Sequence, residues 1–369
     1  MTMRVIVAMS GGVDSSVAAA ILREQGHDVI GIAMRLAPDA PPALGNVRRR
    51  STCCSHDDFE DARRVAERLD FPFYVVDLRE EFNRRVIGNF VGEYLHGRTP
   101  NPCVMCNREI KFDRLWQRAR ALGVETIATG HYAQIDRDSS GRFRLLRAAD
   151  QSKDQSYFLF TLTQRELART LFPLGGIAKT EVRRRARELG LANADKPESQ
   201  EICFVPDNDY AGLVERTATP DQIRPGQIVD SDGRRLGNHQ GIHRFTVGQR
   251  RGLGIASLEP LYVREIRAAT GEVVAGRREE IISCGLIAHS VSLTGAIPDA
   301  PAEITDEAIE VKIRYRHPGI AASLRMIAAD RAEVRFAQGG PAVTPGQACV
   351  FYRGGEVLGG GFIERALEG

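Results

Sequence analysis

Along the first two hundred residues the spacing of apolar positions switches repeatedly between two periods. Residues 4–9 form a short unbroken apolar run that reads as a buried strand and ends at Gly11 and Gly12. Over 15–25, Val17, Ile21 and Leu22 share one helical face, and Gly26 supplies a stop. Residues 29–34 and 73–78 read as further strands, with 125–128 a later one. Between them, 58–69 sets Phe59, Ala62, Val65, Ala66 and Leu69 at helical spacing. Strands alternating with helices predict an α/β fold with a doubly wound parallel sheet. Thr163-Gln-Arg-Glu166 is a capping box opening a helix, and Thr180 caps another that runs to Gly190. Residues 37–50, rich in Pro, Ala and Arg, read as a mobile loop.

The character changes after about residue 205. Residues 220–280 are rich in Gly and turn residues, with short strands such as 261–266. From about 285 the alternation becomes strict: Ile309-Glu-Val-Lys-Ile-Arg-Tyr315 predicts a strand with one buried and one wet face, and 332–336 and 348–352 follow the same rule. Three domains are expected: a doubly wound domain over 1–205, a small central domain over 206–284, and a β-barrel-like domain over 285–369.

Composition narrows the classes. A chain of 369 residues is long for one core, and its 43% hydrophobic and 27% charged residues are ordinary for a globular protein. A net charge of +2 does not by itself point to nucleic acid, so local clusters must carry that case: Arg48–Arg50, Arg250-Arg251, and the run Arg183, Arg184, Arg185 and Arg187. No apolar run approaches the roughly 18 residues that span a bilayer. The opening apolar stretch passes straight into Ser10-Gly11-Gly12 rather than a cleavage site. A cytoplasmic protein with no membrane partner is the expectation. The odd set of seven cysteines (53, 54, 103, 106, 203, 284 and 349) argues against a disulfide framework and for catalysis or metal binding by the grouped ones.

Ser10-Gly11-Gly12-Val13-Asp14-Ser15 lies between the first strand and its helix, where unpaired backbone N–H groups and the helix dipole face an anion together. The glycines admit close approach, Ser10 and Ser15 add hydroxyls, and Asp14 is placed to hold Mg²⁺ against phosphates. The loop lacks the Lys of a Walker A motif and is not a G-x-G-x-x-G fingerprint. It resembles the PP-loop of the ATP pyrophosphatases. Gly97–Pro102 with Cys106–Phe112, Ala128–Tyr132, Lys153–Phe158, Ser199–Phe204, Gly248–Gly254 and Thr344–Gln347 narrow the likeness to the tRNA-specific 2-thiouridylases.

That resemblance implies ATP-dependent adenylation of the C2 carbonyl oxygen of a tRNA uridine, followed by attack of a persulfide sulfur at C2. Ala8, Met9, Ser10, Gly11, Gly12, Val13, Asp14, Ser15, Met34 and Gly130 are implied ATP contacts. Cys203 is implied to carry the persulfide. Cys106 either frees sulfide by forming a disulfide with Cys203 or assists release. Asn101, Pro102 and Cys103 are implied to border the extruded uridine and His131 to lie near it, although a lone His is more often structural. Lys153, Asp154, Gln155, Arg314, Tyr315 and Gln347 are implied tRNA contacts; of these, Arg314 and Tyr315 point to opposite faces of one strand unless it ends there.

One departure matters. Where the family carries an acidic residue this chain has Cys103, which completes Cys103-Val-Met-Cys106. With Cys203 the three thiols have the makings of a 4Fe–4S ligand set, or Cys103 is a tolerated substitution. A cysteine desulfurase or a sulfur relay protein is the implied donor. The rivals are an amide-forming PP-loop ligase, which needs no paired cysteines, and a non-catalytic sulfur carrier or ATP-sensing RNA-binding protein.

Overall fold

The computed structural model describes residues 2–36, 56–198, 202–205, 208–294, 303–304 and 309–368. The 37–50 loop, Cys53 and Cys54, and Ser199–Glu201 of the Ser199–Phe204 motif fall outside these residues. The chain divides into two compact units, Met1–Val86 with Cys103–Asn208, and Ile87–Pro102 with Asp209–Gly369.

The first unit is built on five parallel strands: β1 (Arg4–Ala8), β2 (Asp28–Arg35), β3 (Phe73–Asp77), β4 (Thr126–Thr129) and β5 (Thr170–Leu171). Their order is β3-β2-β1-β4-β5, with Val5 opposite both Val29 and Thr126. Val5, Ile6 and Val7 have no exposed surface, as a central strand covered on both faces requires. Helix α1 (Val13–Glu24) buries Val17 and Leu22, and α2 (His56–Arg68) buries Phe59, Ala62, Val65 and Ala66. The sheet winds one way from β1 to β2 and the other way to β4. The crevice beyond the carboxyl ends of β1 and β4 is therefore the switch point at which open α/β sheets bind ligands.

Local expectations held where a cap or period was complete and failed where a distant partner intervened. Thr163 caps Gln164–Leu167 with the reciprocal bonds of a capping box. Thr180 caps nothing: α3 (Lys179–Glu188) begins one residue earlier, because Asp150 Oδ2, twenty-nine residues away, accepts the Lys179 N–H at 3.0 Å.

The second unit holds two sheets. Strands β6 (Gly226–Val229), β7 (Arg235–His239), β8 (Tyr262–Arg267) and β9 (Glu272–Gly276) form one in the order β8-β9-β6-β7. The other is a six-stranded antiparallel barrel of β10 (Ser283–Leu293), β11 (Ile309–Lys312), β12 (Ile320–Ala328), β13 (Arg331–Gly340), β14 (Ala348–Arg353) and β15 (Glu356–Leu367), closed by pairing of β10 with β15. Leu286, Val311, Leu324, Val334, Phe351 and Ile363 fill its interior. Strand β11 stops at Lys312, short of the expected Tyr315, and residues 313–317 bend away. Ile87–Pro102, inside the expected first domain, packs with this unit instead: Tyr94 stacks on Tyr210 at 4.9 Å, and the Thr99 N–H donates to Pro345 O at 2.8 Å.

Candidate nucleotide and sulfur site

The loop after β1 leaves the helix open to an anion. Gly12 is the N-cap of α1 and no side chain caps that terminus, so its first N–H groups keep their donor capacity. The loop's shape is fixed from below. Ser15 Oγ donates to Gly12 O at 3.0 Å and accepts the Ser10 N–H at 3.2 Å. Asn193 Nδ2 donates to Gly11 O and to Ser16 Oγ, each at 2.9 Å. Ser15 is buried, so its hydroxyl is spent on the loop rather than offered outward, while Ser10 stays exposed. Gly11 sits at φ +74°, and a Cβ there would overlap the backbone of Asp58. A Cβ on Gly130, at the end of β4, would lie 2.7 Å from Ser15 N. Both glycines are required by packing. Ala8 ends β1, Met9 and Val13 are buried, and Met34, 8% exposed, lies next to the last residue of β2.

Asp14 does not stand alone. Lys179 Nζ donates to both of its oxygens, at 2.7 and 2.8 Å, and the Tyr132 hydroxyl donates to Oδ1 at 2.8 Å. Lys179 also meets Glu198 at 2.8 Å, and Glu198 in turn takes Lys153 Nζ at 2.7 Å. Burial works against the Glu198 charge, but Lys153 and Lys179 outweigh it and pull the carboxyl down to about 2. Burial, then the Asp14 charge, hold the Tyr132 phenol well above its usual range. The sequence reading missed Lys179. Its one local signal is a lysine at the first position of a helix, where the dipole disfavours a cation unless an anion faces it.

The cysteines occupy short elements of this first unit. Cys103 and Cys106 lie on the helical turn Pro102–Cys106, Cys103 exposed and Cys106 half-buried, with Val104 wholly inside. Cys203 is half-buried in a turn, and Phe204 beside it meets Phe82 edge-on at 5.6 Å. Among the described residues no three His, Cys, Asp or Glu side chains gather so as to hold a metal ion. Cys349 is fully buried in the barrel, where burial pushes its thiol up to about 12; Cys284 is half-buried on β10.

His131 is buried between Phe112 and Phe172, with Thr129 Oγ1 2.7 Å from Nδ1. Burial, and secondarily the Lys111 charge, hold its imidazole well below the usual range and therefore neutral. The 153–155 stretch turns inward: Asp154 accepts from Ala148 N and Ser156 Oγ, and Gln155 Oε1 accepts the Tyr132 N–H at 3.0 Å. The basic run on α3 is largely paired within the unit, Arg184 with Glu181 and Glu188, Arg185 with Glu181, Arg187 with Asp195. Arg183 donates to the carbonyls of Ala194 and Lys196.

In the second unit, Gln347 grips main chain. Its amide donates to Thr99 O at 3.0 Å and Pro100 O at 3.1 Å, just before Asn101 and Pro102. Gly346, at φ +88°, has Thr99 N and O 3.0 Å from where a Cβ would sit. Thr344 Oγ1 donates to Val247 O and accepts from Arg314 Nη2, which also donates to Ala342 O. Gln347 thus braces the loop just before Asn101, and Arg314 braces the turn that carries Gln347. Tyr315 lies half-buried in the bend after β11, and Arg250 and Arg251 are exposed.

Residues 3–207 match a family model described as the tRNA methyl transferase HUP domain, 217–277 one described as the tRNA methyl transferase PRC-barrel domain, and 284–363 one described as the aminomethyltransferase beta-barrel domain. The chain is 55% identical over 99% of its length to a protein of Geotalea uraniireducens named tRNA-specific 2-thiouridylase MnmA, covering 96% of that protein. Proteins of the same name from Geobacter metallireducens and Solibacter usitatus are 53% and 50% identical over 99% and 98% of the chain, which covers 97% and 99% of them. With its loop motif, its parallel sheet and its closed barrel in one chain, the protein belongs to the tRNA-specific 2-thiouridylase family.

Proposed function

We propose that this chain is a tRNA-uridine 2-sulfurtransferase, which uses ATP to adenylate the C2 carbonyl oxygen of the wobble uridine and then replaces that oxygen with sulfur, giving 2-thiouridine, AMP and pyrophosphate. The observation that carries this reading is 55% identity across 99% of the chain to a protein named for that activity, with Ser10–Ser15, Cys106 and Cys203 all in place. The chemistry explains why these parts occur together. A carbonyl oxygen is a poor leaving group, and transfer of AMP to it makes it a good one. A persulfide, largely ionised at neutral pH, is then the nucleophile.

In this reading the open N-terminus of α1 receives the phosphates, Gly130 lets the loop approach β4, and Met34 borders the adenosine. Asp14 is the carboxylate that would face a Mg²⁺ arriving with ATP, an ion that offsets phosphate charge. Cys203 carries the sulfur and Cys106 releases it. Asn101, Pro102 and Cys103 border the base, which leaves its stack to be reached. Lys153, exposed Arg250 and Arg251, and Tyr315 are the side chains best placed for phosphate or stacking contact. A cysteine desulfurase or a relay protein loads Cys203. The three-domain division at 205 and 284 belongs to the same reading.

An amide-forming ligase built on the same loop has no use for Cys203, and that difference supplies the test. Full-length protein, ATP, unmodified tRNA and a loaded sulfur donor are assayed for pyrophosphate and for 2-thiouridine by nucleoside mass analysis. Asp14→Ala is expected to lose both products. Cys203→Ser is expected to keep pyrophosphate release and lose 2-thiouridine. Retention of thiolation by Cys203→Ser would overturn the persulfide assignment, and thiolation by Asp14→Ala the nucleotide assignment.

A further inference from the structure

The charges beneath the phosphate loop are arranged in a way that stability alone does not explain. Lys179 is 7% exposed, and its ammonium lies within 2.8 Å of three carboxylate oxygens, two from Asp14 and one from Glu198. It also lies 5.6 Å from the centre of the Tyr132 ring. An ion pair this sheltered is often no better for stability than apolar residues of the same volume. Asp14 has no need of a lysine either, since a carboxylate in the first turn of α1 is already favoured by the helix dipole. What the lysine does change is the charge that the loop presents. Without it, Asp14 and Glu198 would set two negative charges beside the place where a polyanion must sit, with Lys153 at 2.7 Å and Arg183 at 4.0 Å offsetting Glu198 rather than Asp14.

We propose that Lys179 is a catalytic residue of the adenylation step, exchanging Asp14 for the β- and γ-phosphoryl oxygens of ATP and holding the pyrophosphate as it leaves. This rests on the function proposed above. In that step the uridine O2 forms a bond to the α-phosphorus and the bond from that phosphorus to the bridging oxygen breaks, its electron pair passing to pyrophosphate. The ammonium meets the charge that develops there. A lysine suits the exchange because it is a compact charge on a flexible stem with three donors that can be re-aimed. Its backbone meanwhile stays fixed, the N–H bonded to Asp150 Oδ2 at 3.0 Å. Asp14, once released, is free to face a cation on the same phosphates.

The test is calorimetric titration of the full chain with inorganic pyrophosphate and, separately, with AMP, which lacks the leaving phosphates. Lys179→Met is expected to weaken pyrophosphate by roughly 100-fold, the loss of a charge-assisted contact, and to leave AMP within about threefold. Lys179→Arg should recover most of the loss. Glu198→Gln removes a competing carboxylate and should tighten pyrophosphate several-fold, which decides the matter even if Lys179→Met fails to fold. Equal weakening of both ligands in Lys179→Met, or weaker pyrophosphate in Glu198→Gln, would mean that the lysine only shapes the loop, and would overturn the proposal. If the unaltered protein bound neither ligand, the nucleotide reading itself would fall, and this inference with it.

Discussion

Two motif-bearing turns in this protein share neutral bonds to main chain and differ in the charges packed against them. The Ser10–Ser15 loop sits on a bed of ion pairs, Lys179 with Asp14 and Glu198, and Lys196 with Asp58 and Asp61 at 2.7 and 2.6 Å. The Thr344–Gln347 turn is fastened by neutral bonds, from the Thr99 N–H to Pro345 O, from Thr344 Oγ1 to Val247 O and from the Gln347 amide to Thr99 O and Pro100 O, with Arg314 a charged donor to Thr344. The difference fits the nucleotide site proposed above. An ion pair can trade partners when another charge arrives, so a site that takes up and releases a polyanion gains from having one. A set of amide and hydroxyl bonds to backbone has no such competitor. It suits a loop that must present Asn101 in a single position.

The comparison can be broken at several points. The largest effect is expected at Gly130. A methyl group there meets the Ser15 N at 2.7 Å and the Asp14 backbone carbon at 2.8 Å, neither of which can yield as a flexible side chain would. Gly130→Ala should lower ATP-dependent pyrophosphate release by on the order of 10²-fold, as misplacement by an ångström does. Normal turnover would show that the loop is softer than its packing implies.

A smaller and differently shaped effect is expected from the neutral brace. Gln347→Ala removes two hydrogen bonds to the main chain, worth about 1 kcal/mol each. The thiolation kcat should fall about tenfold while tRNA affinity stays within about twofold, because the loss is one of loop position. If affinity fell and kcat held, Gln347 would be an RNA contact after all.

The smallest effect sharpens the boundary of the charged region. His131 directly follows Gly130, yet burial keeps its imidazole neutral. Its ring proton resonances should not titrate between pH 5 and 8. The unfolded chain does bind a proton below about 6.5, so this residue contributes stability that is lost as pH falls below that value. A midpoint near 6.5 in the folded protein would place His131 in water rather than between Phe112 and Phe172.

How far the sequence reaches is clearest residue by residue. It marked the Ser10–Ser15 loop and its strand, because a buried parallel strand, a glycine turn and a helix start are all local and all leave local signatures. It found the Thr163 capping box for the same reason. It misjudged the Ile309–Tyr315 strand, whose alternation continues past the point where the backbone bends and Arg314 bonds to Ala342 and Thr344. It held no sign that Asp154, Gln155 and Gln347, the tRNA contacts that its resemblance implies, each bond to main chain as well.

What the sequence determined by itself was the sheet type, written in contiguous runs of strand and helix period, and the family, through motifs whose resemblance implies the phosphate loop and the two sulfur cysteines. Only the tertiary structure decided that Lys179 lies under Asp14, 165 residues away, and that a barrel turn holds the loop before Asn101, 248 residues from its far contact. Polar side chains on a chain read alone have no direction. Burial gives them one, because a hydrogen-bonding group or a charge taken out of water must be met by a partner, and the fold chooses which.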